Sequence, residues 1–263
     1  MEERILRIEN ENYAIVFKKE IDLSEFPSIR FHGTNINMKM AMAAVLKATS
    51  LTTVGVMQTS IKMEDFNLIV GMLKMNTVLK HLDISHNYVP FMCDTLVDAL
   101  KVNNTLEILN ISRCRLKLAG LKSLITAIKV NTMLSVIDMS GNWINKMHTT
   151  ELVDFLLFDN KTLLEVRTTF RDNASEGCRK LIANRELALS NIDKKKQTVV
   201  DMQTESVTLM GMLSKSSIYI AQNPMDYFRN MLIADIEKET KELTLMENRW
   251  DRAAAEFIII IPD

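Results

Sequence analysis

The stretch "LKHLDISHN" at residues 79–87 contains His81, Asp83 and Ser85, which are the residue types of a hydrolytic triad. Alternating apolar residues predict a short strand here, so these three side chains share one face at separations of about 7 Å. A proton relay needs contacts of about 3 Å, and we therefore predict a polar surface rather than a catalytic site.

Other chemistry is equally unsupported by the residue pattern. The two histidines of this stretch and Cys93 lack the spacing of metal ligands. The sequence contains no glycine-rich phosphate loop, no G-x-S-x-G and no H-E-x-x-H. We therefore expect a protein that is not an enzyme and that holds no metal and no cofactor.

The pattern of residues 79–87 recurs along the chain. "LEILNISRC" at 106–114 and "LSVIDMSGN" at 134–142 repeat it, with first leucines 27 and then 28 residues apart. Each unit predicts a short strand, a turn and an amphipathic helix, which cannot bury its apolar edge alone. Stacked units would share one continuous core. The first apolar position recurs at Leu51, Leu79, Leu106, Leu134 and Leu163, and a helix position at Leu68, Leu96, Leu124 and Leu152.

A polar position follows each strand. It is occupied by Thr59, Asn87, Cys114 and Asn142 in successive units. An asparagine amide at a turn bonds backbone groups that the turn leaves unpaired. We expect Cys114 to replace asparagine there as a buried, unreactive thiol. An Asn-Thr pair precedes each of the three clear strands and predicts the end of the preceding helix.

At these residues the sequence resembles a leucine-rich repeat protein of the ribonuclease-inhibitor-like subfamily, of the cytoskeletal and axonemal type. The resemblance covers about residues 24–173. It implies an α/β fold, namely a solenoid with about five short parallel strands on its concave side and helices on its convex side. Long, coiled-coil-like C-terminal α-helices would follow the repeats.

The expected domains follow from where the period starts and stops. We predict an N-terminal cap at 1–23, repeats at 24–173, a first C-terminal helix at 174–215, a linker at 216–223, and a second helix with an apolar tail at 224–263. Polar residues at four positions, Arg185, Lys196, Gln203 and Ser206, interrupt the heptad spacing of the first helix. Its apolar residues at that spacing are Cys178, Ile182, Leu189, Ile192, Val199, Met210 and Leu213. The second helix, here labelled α6, carries a better stripe at heptad spacing. We call it the α6 stripe: Leu232, Ile236, Leu243, Met246, Trp250 and Phe257.

Two surfaces are candidates for partner binding. Stacking the strands aligns their middle outward positions into what we call the concave row: Arg30, Gly55, Asp83, Asn110, Asp138 and Arg167. A second row is expected at Ser85, Ser112, Ser140 and Thr169. The α6 stripe is the other candidate, because its large apolar side chains favour burial against another protein.

Composition narrows the function further. The net charge of −1 gives no footprint for nucleic acid, the three cysteines form no disulfide framework, and no apolar run spans a membrane. We expect a cytoplasmic, cytoskeletal scaffold of a ciliary axoneme or microtubule-associated assembly, whose partners are other proteins. The resemblance leaves two alternatives open. One is a tropomodulin-like actin regulator, because "VNNTLEILNIS" and "NKTLLEV" are similar to tropomodulin's repeats. The other is a Ran-type GTPase-activating protein with Arg30 in the catalytic place.

Overall fold

The structure is a computed structural model, and it describes residues 5–9, 23–33, 36–88, 93–143, 160, 162–168, 176–215 and 222–255. The strands are β1 (Ile5–Glu9), β2 (Ser28–His32), β3 (Thr53–Met57), β4 (His81–Asp83), β5 (Ile108–Asn110), β6 (Val136–Asp138) and β7 (Glu165–Arg167). The α-helices are α1 (Met38–Lys47), α2 (Met63–Met75), α3 (Cys93–Val102), α4 (Leu118–Val130), α5 (Glu176–Lys215) and α6 (Gln222–Ala255).

The described strands form one parallel sheet in chain order, from β1 to β7. Pairing follows the repeat: Leu82 lies beside Leu109, Leu109 beside Ile137, and Ile137 beside Val166. One described α-helix lies between each pair of consecutive strands from β2 to β6. The predicted leucine-rich repeat solenoid, an α/β fold with long C-terminal helices, is therefore confirmed. The sheet has seven described strands, two more than the five or so expected, and one of the two is β1, which comes from residues 5–9.

The core lies between the sheet and the helices of the repeats. The repeated leucines at 79, 106, 134 and 163 are all buried there. Leu96 and Leu124 are buried as predicted, but Leu68 is 36% exposed and Ile69 takes its place. The reason is that the segment from Asn87 to Leu96 is one residue shorter than the equivalent segments in the flanking repeats. Leu152 lies outside the described residues.

The polar positions after the strands form a first ladder. Asn87 donates to the carbonyl oxygens of Val56 (2.6 Å) and Ile84 (3.0 Å). Asn142 donates in the same way to Ile111 and Met139, both at 2.9 Å. Cys114 is buried, and its thiol donates to the Ile84 carbonyl at 3.3 Å. The expected replacement of asparagine by cysteine is therefore present.

A second ladder runs along the ends of the helices. Asn103, Asn131 and Asn160 each donate to a carbonyl of the preceding repeat and accept two backbone N–H groups of their own turn, whereas Asn76 accepts two such N–H groups and Asn184 donates to two carbonyls. Asn131, for example, donates to Leu100 (2.7 Å) and accepts from Met133 and Leu134. Its members are Asn76, Asn103, Asn131, Asn160 and Asn184. The Asn-Thr pairs of the sequence are these turns.

The chain divides into two compact units, residues 1–184 and 185–263, and the division falls within α5. The first unit contains the sheet and both ladders. Asn184 bonds the carbonyl oxygens of Asn160 and Leu163 at 3.3 and 2.9 Å, which satisfies the last turn of the repeats. The second unit contains the rest of α5 and all of α6.

Candidate protein-interaction surfaces

The concave row is aligned by strand pairing as the sequence predicts. Arg30 lies beside Gly55, Gly55 beside Asp83, and Asp83 beside Asn110. Asp138 and Arg167 continue the row. A Cβ atom at Gly55 would lie 3.2 Å from Cγ of Arg30, so the arginine stem lies across the glycine.

Neighbouring side chains of the concave row bond to each other. Asn110 donates to Asp83 at 3.1 Å, and Arg167 lies 3.8 Å from Asp138. The second oxygen of each aspartate accepts a backbone N–H, from Ser85 and Ser140 respectively, at 2.9 Å. These contacts hold the carboxylates in fixed positions, which lowers the conformational entropy lost on binding a partner.

The second row was predicted to face solvent, and this prediction is wrong for its first two residues. Ser85 and Ser112 are buried, because each follows the strand into the turn of the first ladder. Ser140 is partly exposed. Thr169 lies outside the described residues.

In the second unit, α5 and α6 contact each other through charged side chains. Lys195 lies 2.5 Å from Glu239 and 2.5 Å from Glu242, and Lys196 lies 2.9 Å from Glu247. The hydrogen bond to Glu239, with that to Glu242, raises the pKa of Lys195 above its ordinary value of 10.5. The hydrogen bond from Lys195 lowers the pKa of Glu242 below 4.5. Both shifts mean that the charged pair is favoured at neutral pH.

The side of α5 that is shielded from solvent is only partly the one predicted, because Ile192 and Val199 are buried as expected but the positions between them differ. Its partly or fully buried side chains are spaced alternately three and four residues apart: Arg185, Ala188, Ile192, Lys195, Val199, Met202 and Ser206. Leu189, expected on this side, is exposed. Lys196 and Gln203 do not interrupt it, because they lie on an exposed flank. Lys195 lies on the shielded side instead, where it contacts Glu239 of α6.

The α6 stripe is correctly registered along its helix. Leu232, Ile236, Leu243, Met246 and Trp250 are all partly buried, whereas Phe257 lies outside the described residues. Glu239 falls between Ile236 and Leu243 at the same heptad spacing, and it contacts Lys195. The stripe therefore faces α5, and none of its described side chains is fully enclosed.

The helical pair also exposes large apolar side chains outside these facing sides. They are Leu187, Leu189, Val200, Val207, Leu209, Met231, Ile233 and Leu245. Val207 is 74% exposed and Leu245 is 64% exposed. Val200 and Val207 are seven residues apart on one side of α5, and Met231 and Leu245 are fourteen apart on one side of α6.

A third surface was not predicted from the sequence, and it lies beyond the C-terminal ends of the strands, beside the first ladder. Tyr88, Arg115 and Trp143 each directly follow a ladder residue. The arginine lies over both aromatic rings, 5.3 Å from the Tyr88 centroid and 5.5 Å from the Trp143 centroid. We call these three residues the rim cluster. Aligning the repeats one position beyond the asparagine would have revealed it.

In the described part of the chain, no group of three or more His, Cys, Asp or Glu side chains could hold a metal ion. None of the described helices is both long enough and apolar enough to cross a membrane.

The sequence profile of the Leucine Rich repeat family matches residues 102–124, which contain the Asn103 turn and β5. No curated protein sequence matches this chain. Solved structures that match include leiomodin-1 actin-binding site 2, with 23% identity and a TM-score of 0.43, covering 55% of this chain and 82% of that one. The Caenorhabditis elegans tropomodulin C-terminal domain matches with 11% identity and a TM-score of 0.41, covering 75% and 90%. The repeat period, the two asparagine ladders and the profile match together identify the chain as a leucine-rich repeat protein.

Proposed function

We propose that the protein is a non-catalytic scaffold that joins other proteins in a cytoskeletal assembly. The observation that carries this proposal is the incomplete burial of the helical pair. The described α6 stripe is only partly buried against α5, and eight other large apolar side chains of the pair are exposed. Exposed apolar surface of this kind is typical of interaction sites.

The occupant that fits this surface is an α-helix of a partner protein. The partly buried side chains of both helices recur at heptad spacing, which matches the side chains of another helix packed alongside. Burial of one large apolar side chain contributes about 1.5–3 kcal/mol, and half of that for each of the five described stripe residues is a substantial driving force. A third helix would complete the burial that α5 begins.

The concave row is the second proposed contact surface. Its polar side chains stand in a line along a curved sheet, and two aspartates are fixed by backbone N–H groups. Such a surface suits a polar partner segment that hydrogen-bonds without reordering the protein. The residues that we propose for this contact are Arg30, Asp83, Asn110, Asp138 and Arg167.

The helical surface is tested by charge placement. Leu245→Glu adds a charge to an exposed apolar site, whereas Asn248→Glu adds the same charge to an exposed polar site of α6. Both variants should fold, as judged by circular dichroism. We expect Leu245→Glu to weaken partner binding at least tenfold and Asn248→Glu to leave it unchanged. Equal behaviour of the two variants would exclude the apolar contact.

The cytoskeletal assignment is tested with purified filaments. The full chain is co-sedimented with microtubules and, separately, with actin filaments. Binding to microtubules is expected of an axonemal or microtubule-associated protein, and binding to actin is expected of a tropomodulin-like protein. We expect binding to one polymer, sensitive to Leu245→Glu. Absence of the chain from both pellets would refute the assignment. Hydrolysis of GTP by Ran should be unchanged by the protein, and an acceleration that requires Arg30 would replace the scaffold with the GTPase-activating alternative.

A further inference from the structure

The rim cluster is built by the repeat itself. Tyr88, Arg115 and Trp143 follow Asn87, Cys114 and Asn142, so the stacking of strands places the three side chains side by side. Tyr88 is 52% exposed and Trp143 is 60% exposed. The arginine is exposed too, and its guanidinium lies between the two rings. Aromatic and arginine side chains arranged in this way are the residues most enriched in binding hot spots.

The backbone beneath the cluster is held by the first ladder. Asn142 accepts the N–H groups of Cys114 and Leu116, both at 3.0 Å, on either side of Arg115. Arg115 has a φ of 56°, a left-handed conformation that a non-glycine residue adopts at a cost. The two hydrogen bonds fix this turn. The arginine is therefore pre-positioned, which reduces the entropy lost when it binds.

The turn that carries Arg115 is basic. The turn at residues 112–117 carries Arg113, Arg115 and Lys117 and no acidic residue, in a chain whose net charge is −1. Within the described residues, Arg115 is paired with the two rings and with no carboxylate. A guanidinium over aromatic rings keeps its N–H donors, and these match the two oxygens of a carboxylate.

We propose that the rim cluster binds an acidic segment of a partner protein. A carboxylate of the segment pairs with Arg115, and its neighbouring side chains contact Tyr88 and Trp143. Arg113 and Lys117 attract further acidic residues. Single-stranded nucleic acid fits less well, because Arg115 already occupies one face of each ring on which a base would stack. The proposal is independent of the cytoskeletal assignment, since it concerns another surface.

The test uses the full chain and a fluorescein-labelled peptide of alternating Glu and Ala. A labelled oligouridylate of equal charge is the competing probe. We compare Arg115→Gln with Lys101→Gln, which removes the same charge from an exposed site of α3. Arg115→Lys retains the charge and removes the planar group. Circular dichroism confirms that each variant is folded.

We expect the peptide to bind with an affinity that falls about tenfold in Arg115→Gln, less in Arg115→Lys, and less than twofold in Lys101→Gln. Trp143→Leu should weaken binding as well, because it removes one wall of the cluster. The proposal is overturned if the peptide does not bind, if Arg115→Gln and Lys101→Gln lose affinity equally, or if the oligouridylate binds more tightly than the peptide.

Discussion

Substituting Asn103 by alanine should destabilise the repeats far more than the same substitution at the next residue. The Asn103 amide donates to the Leu73 carbonyl at 2.8 Å and to the Asn76 carbonyl at 3.4 Å. Its oxygen accepts from the N–H groups of Thr105 at 3.1 Å and Leu106 at 2.8 Å. Asn103 is buried, so water does not replace these partners in the variant.

The magnitude follows from the groups that lose a partner. The amide also donates to the Thr105 hydroxyl at 3.4 Å, and two of these five bonds are short. A buried group without a partner costs about 1–3 kcal/mol, so Asn103→Ala should cost about 3 kcal/mol. Asn104 is exposed. Asn104→Ala should therefore cost less than about 0.5 kcal/mol.

Urea unfolding and hydrogen exchange measure the two variants. With a slope of about 2–3 kcal/mol per molar urea, the midpoint of Asn103→Ala should fall by about 1 M. Faster amide exchange should appear in β4 and β5, on either side of the lost contacts. A midpoint no lower than that of Asn104→Ala would refute the argument that the second ladder stabilises the solenoid.

Three further outcomes are expected. Leu109→Asp should unfold neighbouring repeats at a cost of several kcal/mol, visible as a lower and broader thermal transition, whereas Asn104→Asp at an exposed position should not. Cys114 should react slowly with a thiol reagent in the native protein, as mapped by mass spectrometry, and rapidly in urea. Because its pKa is raised, Lys195 contributes stability to the helical pair that is present below pH 10.5 and is lost as the pH rises above that value. Because its pKa is lowered, Glu242 contributes stability that is present above pH 4.5 and is lost as the pH falls below that value. Helicity of wild type and Lys195→Gln, followed from pH 3 to 11, should therefore differ most at neutral pH.

The sequence was sufficient to predict the solenoid because its period constrains every stacked position at once. The partners of Leu109 on both sides are the residues expected from the repeat. Strand β1 was missed because "ILRIE" has no counterpart of the L-x-x-L-x-L pattern, and only its pairing with β2 makes it a strand. Leu68 was misplaced because a constant step of 28 residues was applied to the helices, whereas the repeat from Leu79 to Leu106 is 27 residues long.

The helical pair was harder to predict because burial there depends on the opposite helix. Leu189 is apolar and exposed, whereas Lys195 is charged and faces α6. A lysine is stable at that position because Glu239 and Glu242 face it, and no local pattern in α5 reveals those glutamates. The α6 stripe was registered correctly because its apolar spacing is nearly continuous.

The same stacking that builds the core also builds the surfaces of the repeats. Any position shared by successive units becomes a row about 5 Å apart, whatever residue occupies it. At the middle of the strand this gives alternating aspartate and asparagine side chains, which bond to each other. One position beyond the ladder it gives an arginine between two aromatic rings. The chemistry of these surfaces is therefore found by comparing equivalent positions across units. A search for contiguous motifs cannot find it, because the residues that act together are 27 or 28 positions apart in the chain.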